Sequence, residues 1–193
     1  MMASKIMNDE KLISILKESP IFTKIFEKSE SISLDNWYIA GGAVTQTVWN
    51  YLQNKDPLYG IKDIDLVFYS KDSSLENDKI LQEKINIEFK DLGYHFDVQN
   101  EANVHLWYEE KFGDKIAQCK STEDGISTWL SAFSVGVRKE KEDFIVYSTS
   151  GLDDLFSMTV RPNKRQITEP IFNKMVSRLL KNWPEIEVIP WSN

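Results

Sequence analysis

Apolar residues recur at helical spacing between Lys11 and Lys28, where Leu12, Ile15, Leu16, Ile25 and Phe26 fall on shared faces. Pro20 lies inside this stretch and has no N–H to give a helix interior, so the pattern predicts a kink or two short helices. Asp35 and Asn36 precede a short apolar strand, Trp37 to Ala40. Gly41 and Gly42 make a tight turn into a helix from Val44 to Leu52. Pro57, Tyr59 and Gly60 mark a loop, and Ile61 to Tyr69 reads as a strand. Leu75 to Leu92 predicts a long helix closed by Gly93, the usual residue past a helix end. His95 to Gln99 reads as another strand.

Beyond Asn100 the periodicity weakens. It predicts a helical turn at Trp107 to Phe112, a helix at Thr122 to Ala132, and strands at Ser134 to Arg138 and Phe144 to Ser148. A helical turn entered through Asp153 reaches Phe156, and Pro162 breaks the chain before a final helix from about Glu169 to Asn182. The mixed order of strands and helices points to an α+β or α/β arrangement around one mixed sheet. With no repeat, low-complexity segment or long linker, residues 1–193 read as one domain, with a helical segment over 1–34 and an extension from about 150.

Composition narrows the class. The chain has 193 residues, 41% hydrophobic and 27% charged, which is ordinary for a globular protein. No apolar run approaches a membrane span, and Met1 to Glu10 lacks the pattern of a secretory signal. Cys119 is the single cysteine, which excludes an intramolecular disulfide and a thiolate zinc cluster. The expected setting is the cytoplasm. The net charge of -7 argues against long DNA as a partner, because such binding depends on neutralising phosphates. Arg161, Lys164, Arg165, Lys174, Arg178 and Lys181 nevertheless cluster, with Glu169 the only acid between them. A solvated helix face explains such a cluster; a patch for triphosphate or RNA phosphates is the sharper alternative.

The chemistry is concentrated in Gly41-Gly42, Asp63-Ile64-Asp65 and Asp97. Side chains alternate along a strand, so Asp63 and Asp65 leave one face while Ile64, Leu66 and Phe68 enter the core. Asp97, between Phe96 and Val98, also leaves an apolar face. If the two strands are neighbours, three carboxylates converge and stay ionised only with cations present. Mg²⁺ (or Mn²⁺) is the natural cofactor, since it takes oxygen ligands and shares its shell with substrate phosphates. Two such ions about 3.5–4 Å apart clamp both oxygens of an in-line displacement at phosphorus. A Gly-Gly turn before a helix lets backbone N–H groups approach phosphate. A Gly-Gly pair alone is usually only a turn, and a lone Asp-x-Asp usually a strand end; their ordered combination carries the signal.

Other residues carry weaker signals. His105 follows in a polar loop and is placed near a phosphate or base, and Arg138 ends a strand where it would steady triphosphate charge. A surface ion pair is the bland reading of Arg138. His95 shares a strand face with Asp97, Trp107 and Tyr108 suit either a nucleobase or the core, and Asp153 and Asp154 suit helix capping.

Together these residues resemble the DNA polymerase β-like nucleotidyltransferase superfamily: a glycine turn, a strand bearing Asp-x-Asp and a third acid on a later strand. Much of the chain is similar to a bacterial family described as nucleotidyltransferase family protein. The similar stretches include Trp37 to Gly42, Lys62 to Leu66, Asn100 to Tyr108, Val135 to Arg138, Gly151 to Phe156, Val160 to Asn163 and Asn182 to Pro184. Ser127 to Ala132 departs from the family pattern. The resemblance implies an α+β palm-like fold with helices flanking a mixed sheet, and a catalytic, metal-binding triad at Asp63, Asp65 and Asp97. It implies transfer of a nucleoside monophosphate from a nucleoside triphosphate, ATP among them, to a hydroxyl, with pyrophosphate released. The acceptor is open: a small molecule, a protein or an RNA end. The competing readings are a catalytically silent nucleotide-binding module and a toxin-like modifier of tRNA or protein.

Overall fold

The computed structural model describes residues 2–192, without the side chains of residues 2–5. The opening periodic stretch forms two helices, α1 (Met2–Glu18) and α2 (Pro20–Glu27), with Pro20 in the first turn of the second, where its missing N–H costs nothing. Next come β1 (Tyr38–Ala40), α3 (Gly42–Leu52), β2 (Asp63–Phe68), α4 (Leu75–Glu88) and β3 (His95–Asn100). α5 (Val104–Phe112), α6 (Thr122–Ile126), β4 (Val135–Glu140) and β5 (Asp143–Ser148) follow. The chain then forms α7 (Asp153–Phe156), β6 (Thr159–Val160), α8 (Glu169–Asn182) and β7 (Glu187–Val188).

Five strands form one mixed sheet in the order β3-β2-β1-β4-β5. β2 and β3 are parallel, and the other neighbours are antiparallel. One face carries Ile39, Ile64, Leu66, Phe96, Val98 and Val137, all buried in the main core with apolar residues of α1 to α4. The other carries Tyr38, Ala40 and Val67, which form a small second cluster with Ile126 of α6. The C-terminal segment joins the main core through Trp183. Its ring packs edge-on to Trp49 of α3 at 5.7 Å, and its indole N–H donates to Asn50 at 3.0 Å. β6 and β7 make a separate parallel pair. No helix among the described residues is long and apolar enough to cross a membrane.

Three elements differ from the sequence expectation, the first being the helix expected to run to Leu92, which ends at Glu88 and gives way to a 3-10 turn at Lys90–Leu92 before Gly93. The helix expected over Thr122 to Ala132 ends at Ile126, and Leu130 is extended, with ψ 147°. Ser134 Oγ donates to the Ile126 and Trp129 carbonyls and holds the chain in that loop. The turn expected at Trp107 to Phe112 is a full helix from Val104, ended by Gly113 at φ +85°. The β3 edge is also finished by side chains. Gln82 accepts from the Val98 N–H at 2.8 Å and donates to the Phe96 carbonyl, while Asn86 accepts from the Phe96 N–H at 2.9 Å. An exposed strand edge is thereby closed by α4.

Candidate active site

The lightly covered sheet face is where the sequence motifs meet. Asp65 lies between Ala40 on one side and Asp97 on the other, each directly in register, and Asp63 pairs with His95. In a parallel pair, residues in register project to the same face, so Asp65 and Asp97 stand side by side, with Asp63 two residues up the strand. Ile64, Leu66, Phe96 and Val98 are buried on the opposite face, which fixes this orientation.

The glycine turn abuts Asp65. Gly41 has φ +61°, and a β-carbon there would fall 2.5 Å from Cζ3 of Trp129. Its N–H donates to the Val135 carbonyl at 3.0 Å, tying the turn to the end of β4. Gly42 opens α3, and a β-carbon there would lie 3.8 Å from Asp65 Oδ2. Only Gly41 is therefore required by the fold; at Gly42 the missing side chain leaves space in front of the carboxylate.

Two clefts share Asp65. One, of about 300 Å³, is lined by Gly41, Gly42, Gln46, Asp63 and Arg178 among others. The second, of about 220 Å³, is lined by Asp97, Gln99, Glu101, Trp107 and Tyr108 among others. Trp129 and Ile167 line both and form the wall between them. A larger hollow of about 580 Å³, lined by Ile15, Glu18, Thr47 and Lys55 among others, contains none of the three aspartates.

Burial, then the charges of Asp63 and Asp97, push Asp65 up to about 7; the Gly42 backbone N–H and Arg178 pull the other way. Glu101 is pushed up to about 8 by burial, then by Asp65 and Asp124. A carboxylate in this state is short of positive charge, and a divalent cation supplies that. Among the described residues, no three His, Cys, Asp or Glu side chains close around an ion unaided. The donor set suits Mg²⁺, which binds through one or two carboxylates and completes its shell with substrate phosphates and water.

Of the other residues chosen from the sequence, Trp107 and Tyr108 line the second cleft, whereas Arg138 and His105 line neither. Arg138 is buried, stacks 4.5 Å from the Tyr38 ring centre and pairs with Glu140 at 2.7 Å. It is absent from the lining of both clefts. His105 sits in the first turn of α5, with Nδ1 buried and unbonded, and also lines neither cleft. His95 is exposed beside Asp63. Within the basic cluster Arg161 is paired with Asp154 and Arg165 with Asp124, whereas Arg178 lines the first cleft. The sequence reading missed Glu101 and Trp129. Glu101 follows Asp97 and Gln99 at a spacing of two, a signal legible in principle. Trp129 depends on a loop held from afar: Asn163 donates to the Ser127 and Trp129 carbonyls at 2.8 and 2.9 Å.

A family model described as Nucleotidyltransferase matches residues 27–188. A solved NMR structure described as a CCA-adding enzyme head domain is similar over 93% of this chain and 95% of its own, at a TM-score of 0.74 and 24% identity. Comparison with curated proteins gives no match. The structural likeness establishes the fold, and the family match covers every residue of both clefts.

Proposed function

We propose, on the premise that the chain belongs to the nucleotidyltransferase family, that it transfers a nucleoside monophosphate from a nucleoside triphosphate to an acceptor hydroxyl and releases pyrophosphate. The observation that carries this reading is the in-register pair Asp65 and Asp97 beside the glycine turn. The triphosphate occupies the first cleft. There the open space at Gly42 and the N-terminal amides of α3 receive phosphate oxygens, and Arg178 offsets their charge.

Asp63, Asp65 and Asp97 would hold Mg²⁺ or Mn²⁺ together with those oxygens. Bound there, the cations neutralise charge on the phosphates and make the acceptor hydroxyl more acidic. The acceptor enters from the second cleft, where Asp97 faces its hydroxyl. The hydroxyl oxygen bonds to the α-phosphorus, the bond from that phosphorus to the bridging oxygen breaks, and pyrophosphate leaves with the electron pair. Asp97 takes the hydroxyl proton. Trp129, between the clefts and against Gly41, keeps the two reactants on a shared line through Asp65.

Calorimetry with Mn²⁺ and a non-hydrolysable triphosphate tests the nucleotide half. The wild type should bind, and the Asp63→Asn, Asp65→Asn double variant should bind at least about tenfold more weakly, the scale of losing interactions between charged groups. Equal binding by both proteins would refute the site.

A further inference from the structure

The second cleft has a chemistry of its own. Asp65, Asp97 and Glu101 line it, with Trp107, Tyr108 and Gln99 among the rest, and among the described residues no Lys or Arg is part of its lining. Glu101 is the unusual member. It is 4% exposed, and none of the ion pairs among the described residues involves it. Its neighbour Asp124 is committed to Arg165 at 2.7 Å and to the Lys120 N–H at 2.8 Å.

Glu101 is nonetheless held in place. Its N–H donates to the Phe68 carbonyl at 2.8 Å. Asn100 and Asn103 on either side bond to Ser70, Ser73 and Asp78 and fix the turn. A β-carbon on Gly125 would overlap the Glu101 carboxylate, so the glycine makes room for it. A buried carboxyl group placed with this care is costly in its charged form, and a cation from outside the chain is what would let it ionise at neutral pH.

We propose that the acceptor is a small hydroxyl-bearing amine, protonated at neutral pH, whose ammonium group pairs with Glu101 while its hydroxyl lies at Asp97. This rests on the nucleotidyl-transfer reading above and specifies its acceptor. Three further observations favour it over a phosphate-rich acceptor such as an RNA end. The carboxyl groups of this cleft offer phosphate no cationic partner and repel it once ionised. Its aromatic rings favour a cation. Its volume of about 220 Å³ suits a small molecule. Across Trp129, the triphosphate cleft carries Asp63 and the shared Asp65 but adds Arg178.

The test uses a triphosphate labelled in its α-phosphate, Mn²⁺, the full-length protein and a cell extract separated into four pools: macromolecules, and small molecules that are cationic, neutral or anionic. Label should pass to a compound of the cationic pool, and N-acetylating that pool before the assay should abolish transfer. With the active cationic pool, Glu101→Gln should raise the KM by about tenfold or more with kcat changed less, since it removes one charged partner of the ground-state complex. Glu101→Gln keeps the shape, and an unchanged triphosphate affinity shows that the variant is folded. Transfer to the neutral, anionic, protein or RNA pool, transfer that survives N-acetylation, or an unchanged KM in Glu101→Gln would overturn the inference while leaving nucleotidyl transfer standing. Triphosphate binding with no label transferred to any pool would overturn both.

Discussion

At the residue scale, the two adjacent glycines do different work. Gly41 combines a left-handed φ with a tryptophan ring where its β-carbon would be, so Gly41→Ala should destabilise the fold by about 1–3 kcal/mol in chemical denaturation. Gly42 sits in the first turn of α3 with room for a methyl, so Gly42→Ala should leave stability unchanged or slightly raised. It should still weaken triphosphate binding by crowding the phosphates; normal affinity would reduce Gly42 to a turn residue. The sequence shows the glycine pair but not which member the fold needs, because that depends on Trp129, far along the chain. Glu101 gives a second residue-scale prediction. Its pKa of about 8 in the folded chain exceeds the ordinary 4.5, so between those values the folded state holds more protons than the unfolded one. The contribution of Glu101 to stability therefore falls as pH rises from about 4.5 to about 8. In cation-free buffer, Glu101→Gln should match the wild type near pH 4.5 and exceed it by a few kcal/mol near pH 8.5. Parallel pH profiles would show that Glu101 does not titrate in this way.

At the element scale, the sequence announces strands through alternation but says little about what fixes their edges. Asp97 was legible because Phe96 and Val98 flank it. That β3 lies beside β2 in register was not, since the pairing depends on a helix crossover and on side chains of α4. Gln82 and Asn86 satisfy the outer backbone groups of Phe96 and Val98 and hold the strand on both sides of Asp97. Gln82→Ala should cost about 1–2 kcal/mol, the scale of two hydrogen bonds, and should speed amide exchange at Val98 more than at Leu66. Equal exchange at both positions would mean that α4 does not secure the edge. The helix over-extended to Ala132 is the complementary lesson. Local periodicity favours continuation, but Ser134 and Asn163 capture the carbonyls of Ile126, Ser127 and Trp129 and convert the segment into the loop that presents Trp129.

At the scale of the whole molecule, the net charge of -7 conceals a local arrangement: an arginine beside the glycine turn and carboxylates across Trp129. Composition alone suggested an acidic protein with a basic C-terminal cluster, and it could not separate Arg178, in the cleft, from Arg161 and Arg165, which are paired with acids. The mixed sheet, the glycine turn and the adjoining aspartates are the parts that sequence and fold present together; the division of labour among them is the central claim. Asp97 tests it most directly, since triphosphate binding can rely on Asp63, Asp65 and the glycine turn, whereas activating the acceptor hydroxyl needs the third acid. The measurement is single-turnover transfer from an α-labelled triphosphate by the wild type and Asp97→Asn, with triphosphate affinity measured in parallel. The expected result is near-normal affinity and a rate at least about a hundredfold lower in the variant, the lower range for general acid–base groups. Equal rates in the two proteins would contradict it.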